Sequence, residues 1–321
     1  MTDEILAPVE PEAVRPKRRG SWRRKLRDVP MAFVMLAPSM FVLVVFVFYP
    51  LGRAVWLGHL SCNNAGENCV VRAGWQQYVN VFNSFEFRNA LGNTFALALM
   101  TVPIGLALGI GLAVLADKHL RGIGLFRTLF SSTVATSVAV ASLIWFVLLQ
   151  PQVGILPDLF SGIFPALKNP GLLNDGTWAL PAVAVSMIWA NLGFTFIIIT
   201  AALQSVPQDL YESAFVDGAG GWRRFTNVTL PMLSPTLLFV VVVGTSRAFQ
   251  AYAEIDLLTQ GGPNDAGRPT ETVPYLIYGK TSKIAGNIAL KSATAVLLFG
   301  ILLILSFVQF AFLERRAQYA R

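Results

Sequence analysis

The sequence predicts an all-α integral membrane protein with six transmembrane helices and with both termini in the cytoplasm. Hydrophobic residues make up 54% of the 321 residues and charged residues only 13%, whereas an ordinary soluble domain carries about 25% charge. The apolar residues also come in six long blocks, each near the length of about 20 residues that a helix needs to cross the hydrocarbon core. This composition excludes a soluble enzyme, a secreted disulfide scaffold and a disordered chain.

The six apolar blocks give the predicted spans. They lie at about Met31–Leu57, Ala90–Ala116, Leu125–Leu149, Thr177–Leu203, Met232–Leu258 and Ala289–Leu313. The first block is too long for the apolar region of a cleavable signal peptide, and no clear small-residue cleavage site follows it. We therefore interpret it as a retained membrane anchor.

The distribution of Lys and Arg predicts the orientation. With the N-terminus in the cytoplasm, 16 of these residues lie inside and 8 lie outside, as the positive-inside rule favours. Residues 1–29 are predicted to form a disordered cytoplasmic arm, first acidic and then basic, before the membrane domain of residues 30–321. We expect the basic part to set the orientation or to contact anionic membrane lipid, and not to bind nucleic acid.

Cys62 and Cys69 are the only cysteines, and both fall in the first predicted external loop. An oxidising compartment there favours a disulfide between them, with two unpaired thiols as the alternative. Neither His nor further Cys lies at metal-ligand spacing, so no metal site is predicted.

The sequence lacks the motifs of an energy-converting enzyme. There is no G-x-x-x-x-G-K-[ST] phosphate loop, no G-x-G-x-x-G after a strand and no recognisable nucleophile arrangement. We therefore predict no catalytic residue and no cofactor in this chain. Energy for uphill transport would have to come from a partner or from an ion gradient.

The connection between the fourth and fifth spans, residues 204–231, has the most informative pattern. Leu210, Ala214 and Phe215 lie on one apolar face at helical spacing, and a run of glycines that begins at Gly218 then ends the helix. A second short helix is predicted at Trp222–Thr229, before the fifth span. Such a helix–turn–helix is either a surface anchor or a docking element.

The spacing within this loop resembles the EAA motif of ABC-importer permeases. Glu212-Ser213-Ala214 is followed after three residues by Gly218 and, after nine more, by Val228-Thr229-Leu230-Pro231. The family pattern is EAA, three residues, G, nine residues and I-x-L-P, so Ser213 and Val228 are mild departures. Asp217-Gly218-Ala219-Gly220 also resembles the D-G-A-G of carbohydrate importers.

Further stretches extend the likeness over roughly residues 30–321. Leu258-Thr259-Gln260-Gly261-Gly262-Pro263 is similar to the T-x-G-G-P segment of the family. Within that family the chain most resembles the permease subunit of sugar and glycerol-3-phosphate importers. The resemblance implies a multi-pass protein of the bacterial-type cell membrane that performs no catalysis itself.

The resemblance also implies partners and roles. A second homologous permease would complete the pathway, two copies of a cytoplasmic ABC ATPase would bind the EAA loops together with ATP and Mg, and an extracytoplasmic solute-binding protein would deliver the solute. In the coupling loop, Glu212 would contact the ATPase, with Ser213 beside it. Ala214 and Phe215 would form an apolar docking face, and Asp217 and Gly218 would form the turn.

Polar residues near the membrane suggest where a solute passes. Arg247 in the fifth span either meets a phosphate or sugar hydroxyls or forms a structural ion pair across a helix interface. Gln250, Tyr252, Trp189 and Asn191 are further candidates for hydrogen bonding or stacking, although aromatic residues also form membrane-interface belts. A monosaccharide, a disaccharide, glycerol-3-phosphate and a glycerophosphodiester all fit. The alternative function is a self-sufficient secondary transporter, but the chain shows no convincing internal repeat.

Overall fold

A computed structural model describes residues 22–62, 69–117, 122–160, 162–163, 171–263 and 267–314, with side chains described from Phe33 except at 62, 69–72 and 312–314. The chain divides into two units, Met1–Gly52 and Arg53–Arg321. The described part is mostly helical and contains five helices long and apolar enough to cross a membrane, or six if one bent helix pair counts as a single span. The prediction of a membrane protein with several spanning helices is thus confirmed.

The first unit is a helix with an apolar surface. Helix α1 (Trp22–Leu43) runs through a π-helical turn (Val44–Phe48) into α2 (Tyr49–Gly58), which ends in the second unit. Large apolar side chains of this unit, such as Phe33, are exposed, as the lipid-facing surface of an anchor requires. The first candidate span is Phe33–Gly58, close to the predicted range. Residues 1–21 of the predicted arm lie outside the described residues, whereas residues 22–29, which were expected to be disordered with them, belong to helix α1.

The second unit contains the remaining elements. In chain order they are β1 (Leu60–Cys62), β2 (Cys69–Arg72), α3 (Gln76–Asn83), α4 (Phe85–Ala116), α5 (Ile123–Ser132), α6 (Val138–Leu149), α7 (Ile155–Phe160), α8 (Ala179–Gln204), α9 (Gln208–Val216), α10 (Gly221–Arg224), α11 (Leu230–Phe249), α12 (Ala253–Leu258), α13 (Val273–Tyr278) and α14 (Ile288–Glu314). Strands β1 and β2 pair antiparallel, with Cys62 opposite Cys69. The side chains of both cysteines lie outside the described part, so the disulfide stays a prediction.

The third predicted span, Leu125–Leu149, is not one straight helix. It consists of Ile123–Ala135 and Val138–Leu149, which are bent by 105°. Thr136 and Ser137 are extended, with ψ of 125° and 150°, and the Ser137 hydroxyl accepts a hydrogen bond from the amide of Val140 at 3.3 Å. The hydroxyl thus caps the start of α6, which a search for continuous apolar length does not detect.

The fifth predicted span, Met232–Leu258, is wrong at both ends. The helix begins at Gly221 and ends at Phe249, and Ala253–Leu258 forms the separate helix α12. The predicted second short helix, Trp222–Thr229, is therefore continuous with the span. A π-helical turn at Phe225–Thr229 comes just before Pro231. In a regular α-helix the ring of Pro231 would clash with the carbonyl of Asn227, four positions earlier, and the wider π-helical turn includes that residue.

The interior of the second unit is built around α4 and α8, which pack along each other. Their contact uses small residues, because a Cβ atom on Gly109 would overlap the side chain of Thr195. Buried apolar residues on both sides of this contact, among them Leu97, Met187 and Ile199, form the core. Helix α11 packs against both helices, so the three together surround the polar cavity described below.

Candidate functional sites: the coupling loop and a polar cavity

The coupling loop presents a short helix with a well-defined end. Helix α9 ends in a Schellman motif, in which the amide of Ala219 donates to the carbonyl of Ala214 at 2.9 Å and the amide of Gly218 donates to that of Phe215 at 3.0 Å. Gly218 has a φ of +73°, a left-handed conformation that costs glycine nothing. The predicted helix and its glycine turn are therefore present at the predicted residues.

The outer surface of this helix is open to solvent. The side chains of Glu212 and Phe215 are exposed, and no ion pair with a described residue involves Glu212. The hydroxyl of Ser213 donates to the carbonyl of Leu210 at 3.1 Å, within its own helix. Glu212 and Phe215 are thus free to contact another protein, whereas Ser213 satisfies its hydroxyl locally.

A shallow groove follows the helix end. It is lined by Ala214, Asp217, Ala219, Arg223, Asn227 and Val228. Ala214 and Asp217 of the predicted docking segment therefore face the groove, while the ring of Phe215 lies outside it.

Two contacts not predicted from the sequence connect α9 to the continuous helix that begins at Gly221 and leads into α11. The hydroxyl of Tyr211 and that of Thr229 are 3.1 Å apart, and Thr229 is buried at the base of the span. The guanidinium of Arg224 lies 5.7 Å from the ring centroid of Phe215, within cation–π range. Thr229 occupies the variable position of the I-x-L-P pattern, which gives no signal for such a contact.

A second site is a cavity between α4, α8 and α11. Arg247 lies in the last turn of α11 and donates from Nη1 to Oδ1 of Asn191, a residue at the middle of α8. Its guanidinium carbon lies 4.6 Å from the ring centroid of Phe194. Arg247 is therefore level with the middle of α8, although it stands near the end of its own helix.

The other three pathway candidates do not line this cavity. Trp189 packs edge-on against Trp145, with ring centroids 6.3 Å apart. Tyr252 stacks on Tyr275 at 6.1 Å, and Gln250 is exposed beyond the end of α11. Of the five pathway candidates, the structure therefore brings only Arg247 and Asn191 together in the cavity.

The loop between α12 and α14 has a buried ion pair at its centre. Nη1 of Arg268 lies 3.2 Å from Oε1 of Glu271, and both side chains are buried. Burial raises the pKa of Glu271, while the neighbouring charge of Arg268 acts in the opposite direction. Asn93 of α4 donates to the backbone carbonyls of both residues, at 3.2 and 3.1 Å. These contacts hold the T-x-G-G-P region against α4.

Metal binding finds no support among the described residues, where no three His, Cys, Asp or Glu side chains come together. The predicted absence of a metal and of a cofactor remains a prediction for the chain as a whole.

Comparison with known proteins decides the family. Residues 82–319 match the family described as the inner membrane component of binding-protein-dependent transport systems. The chain belongs to this family. It is therefore a permease component of an ABC importer and a multi-pass protein of the inner membrane, as the coupling-loop pattern predicted.

Relatives and solved structures agree with this membership. The permease is 30% identical over 95% of its length to the sn-glycerol-3-phosphate transport system permease protein UgpA of Pectobacterium atrosepticum, covering 98% of that protein. It is also 30% identical over 90% of its length to UgpA of Agrobacterium fabrum, covering 96% of it. A bacterial ABC transporter involved in import of the acidic polysaccharide alginate has the same fold, with a TM-score of 0.75 at 22% identity over 92% of this chain and 99% of that chain.

Proposed function

We propose that this permease forms half of the pathway of an ATP-driven importer for a sugar, glycerol-3-phosphate or a glycerophosphodiester, and that α9 couples it to a cytoplasmic ATPase. The observation that carries the proposal is α9 itself, an exposed helix with the EAA spacing and a glycine-dependent end between two spans. The glycerol-3-phosphate relatives support this choice of solute class.

The proposed assembly follows the family pattern. A second homologous permease completes the pathway, two ABC ATPases bind ATP and Mg, and an extracytoplasmic protein delivers the solute. The α5–α6 pair crosses the membrane as one broken span, which gives six spans with both termini and α9 in the cytoplasm. This chain would then contribute no catalytic residue.

Coupling would proceed through the contacts at the base of α11. When the ATPases close on ATP, they would push α9, whose Tyr211 is tied to Thr229. Because Thr229 is continuous with α11, this push would tilt α11 against α4 and α8 and open the pathway on alternating sides. Glu212 and Phe215 would contact the ATPase directly.

The test is uptake into liposomes that contain the assembled complex, with the binding protein outside. The proposal predicts accumulation of sn-glycerol-3-phosphate or of a neutral sugar only when hydrolysable ATP is enclosed. Accumulation driven by a proton or sodium gradient without ATP would contradict it and would favour a secondary transporter.

A further inference from the structure

The cavity between α4, α8 and α11 contains a cation, Arg247, that pairs with no carboxylate in the described part of the chain. Its polar lining comes mainly from Arg247, Asn191, Thr101 and Thr195, among otherwise apolar residues. No ion pair with a described carboxylate involves Arg247, and its side chain is exposed to the cavity. A structural ion pair across the helix interface, one of the two interpretations of Arg247, is therefore absent among the described residues.

Asn191 is held as a neutral acceptor for this cation. Its Nδ2 donates to the carbonyl of Met187 at 2.8 Å, which turns its Oδ1 towards Arg247. The guanidinium has five N–H donors, and the structure shows one of them, on Nη1, bonded to Asn191. The guanidinium carbon also lies 4.6 Å from the ring centroid of Phe194, a cation–π contact that uses none of the remaining N–H donors.

The backbone leaves room beside the guanidinium. Gly105 and Gly244 both line the cavity, and a Cβ atom built on Gly105 would meet nothing within 4 Å. The space therefore reaches the backbone of α4 at Gly105, whereas a Cβ atom on Gly244 would lie 3.5 Å from the side chain of Val102.

Resting on the proposed function, we infer that Arg247 binds the phosphate group of a phosphorylated polyol during transport, and that Asn191 holds the guanidinium between solutes. A guanidinium recognises a phosphate through two parallel charge-assisted hydrogen bonds, which an amide oxygen cannot match. An incoming phosphate therefore displaces Asn191 and is released when the pathway opens inward. A carboxylate at position 191 would instead be a permanent competitor.

The test uses opposite substitutions at one position. Asn191→Asp keeps the shape of the side chain but pairs with Arg247, so ATP-driven uptake of sn-glycerol-3-phosphate by the complete importer should fall about tenfold or more. Asn191→Leu removes the acceptor without adding charge, so uptake at low solute concentration should be equal to wild type or higher. Arg247→Gln should lose uptake, and Arg247→Lys should restore part of it because the charge remains.

Two controls separate this test from a folding defect. The amount of assembled complex in the membrane should be the same for all four variants. Uptake of a neutral sugar, if the wild type transports one, should change by less than about twofold in Asn191→Asp, because an ion pair in the cavity competes with anions and not with a neutral solute.

Four results would overturn the inference. Equal uptake of sn-glycerol-3-phosphate by wild type and Asn191→Asp would show that a carboxylate at position 191 does not compete with the solute. An equal loss in Asn191→Asp and Asn191→Leu would assign Asn191 a purely structural role. ATP-driven uptake of neutral sugars alone would overturn the inference but leave the proposed function intact. A wild-type complex that takes up neither class of solute with ATP would contradict both.

Discussion

Gly218 shows how one residue can determine the shape of the coupling loop. Its φ of +73° lets the amides of Gly218 and Ala219 turn back onto the end of α9. A Cβ atom at this position would meet nothing within 4 Å, so any cost of a side chain comes from backbone strain alone. Gly220 is a natural comparison, because its φ of −64° suits any residue and its Cβ position is equally open.

Gly218→Ala should therefore uncouple the permease more than Gly220→Ala does. The left-handed conformation costs an alanine about 1–2 kcal/mol, enough to loosen the Schellman turn of an exposed nine-residue helix. Solute-stimulated ATP hydrolysis by the assembled complex should be several-fold lower in Gly218→Ala and close to wild type in Gly220→Ala. Equal activities would show that the turn is not needed for coupling.

For single residues, the sequence predicted those features that depend only on neighbouring positions in the chain. A glycine after an apolar helical face predicts a helix end, and α9 ends there. The contact between Tyr211 and Thr229 joins residues 18 positions apart, so its partners depend on how the two helices fold back on each other. The pairing of Arg247 with Asn191 spans 56 positions, so the sequence pattern identified each residue only as a separate candidate.

Among the elements, α4 and α8 make the most extensive helix–helix contact, and a glycine determines how closely they approach. The apolar helix α4 has Gly105, Gly109 and Gly111, and such residues are expected to allow close helix contact. Only Gly109 of these three does so, against Thr195, whereas Gly105 and Gly111 face open space. Which glycine meets a neighbour depends on the rotation of the helix, and an all-round apolar helix leaves that rotation unspecified.

Gly193→Ala should destabilise the packing of α8 on the bent helix pair. Its Cβ atom would overlap the hydroxyl of Thr133 and lie 2.8 Å from the carbonyl oxygen of Phe130. Overpacking of this kind costs about 1–3 kcal/mol, so the thermal unfolding midpoint of the complex should fall. Gly111→Ala is the matched control and should leave the midpoint within error. An equal fall of the midpoint in both variants would mean that any alanine in place of a helix glycine destabilises the complex, whether or not the glycine touches a neighbouring helix.

The bent pair also marks the limit of element prediction from hydropathy. Residues 125–149 are apolar enough for a span, but the hydroxyl of Ser137 caps a new helix in the middle of them. At the fifth span the apolar pattern continues past Phe249, although the helix ends there with short-range turns at Gln250 and Ala251. Apolar length predicts burial in lipid, whereas local capping and turns decide where a helix stops.

For the whole molecule, the topology depends on how the bent pair crosses the membrane. The charge asymmetry of the loops favours six spans with both termini inside. If α5 and α6 together form one broken span, Asp117 after α4 and Asn174 before α8 lie on opposite sides. A re-entrant pair would leave both residues on the same side. Both side chains are exposed, so both positions are suitable for labelling.

Single cysteines at these two positions test the topology. In a background with Cys62 and Cys69 replaced by serine, Asp117→Cys should react with a membrane-impermeant maleimide only from the cytoplasmic side. Asn174→Cys should react only from the outside. Reaction of both from one side would contradict the six-span arrangement and move α9 to the other side of the membrane.

Glu212→Lys tests whether α9 couples ATP hydrolysis to movement of this permease. The measurement is ATP hydrolysis by the reconstituted complex, with and without solute-loaded binding protein, and the control is Asp117→Lys, which reverses an exposed charge outside the loop. Glu212→Lys should lose the solute-stimulated activity at normal membrane insertion, and Asp117→Lys should behave like wild type. Normal stimulation in Glu212→Lys would contradict the claim that α9 is the coupling element.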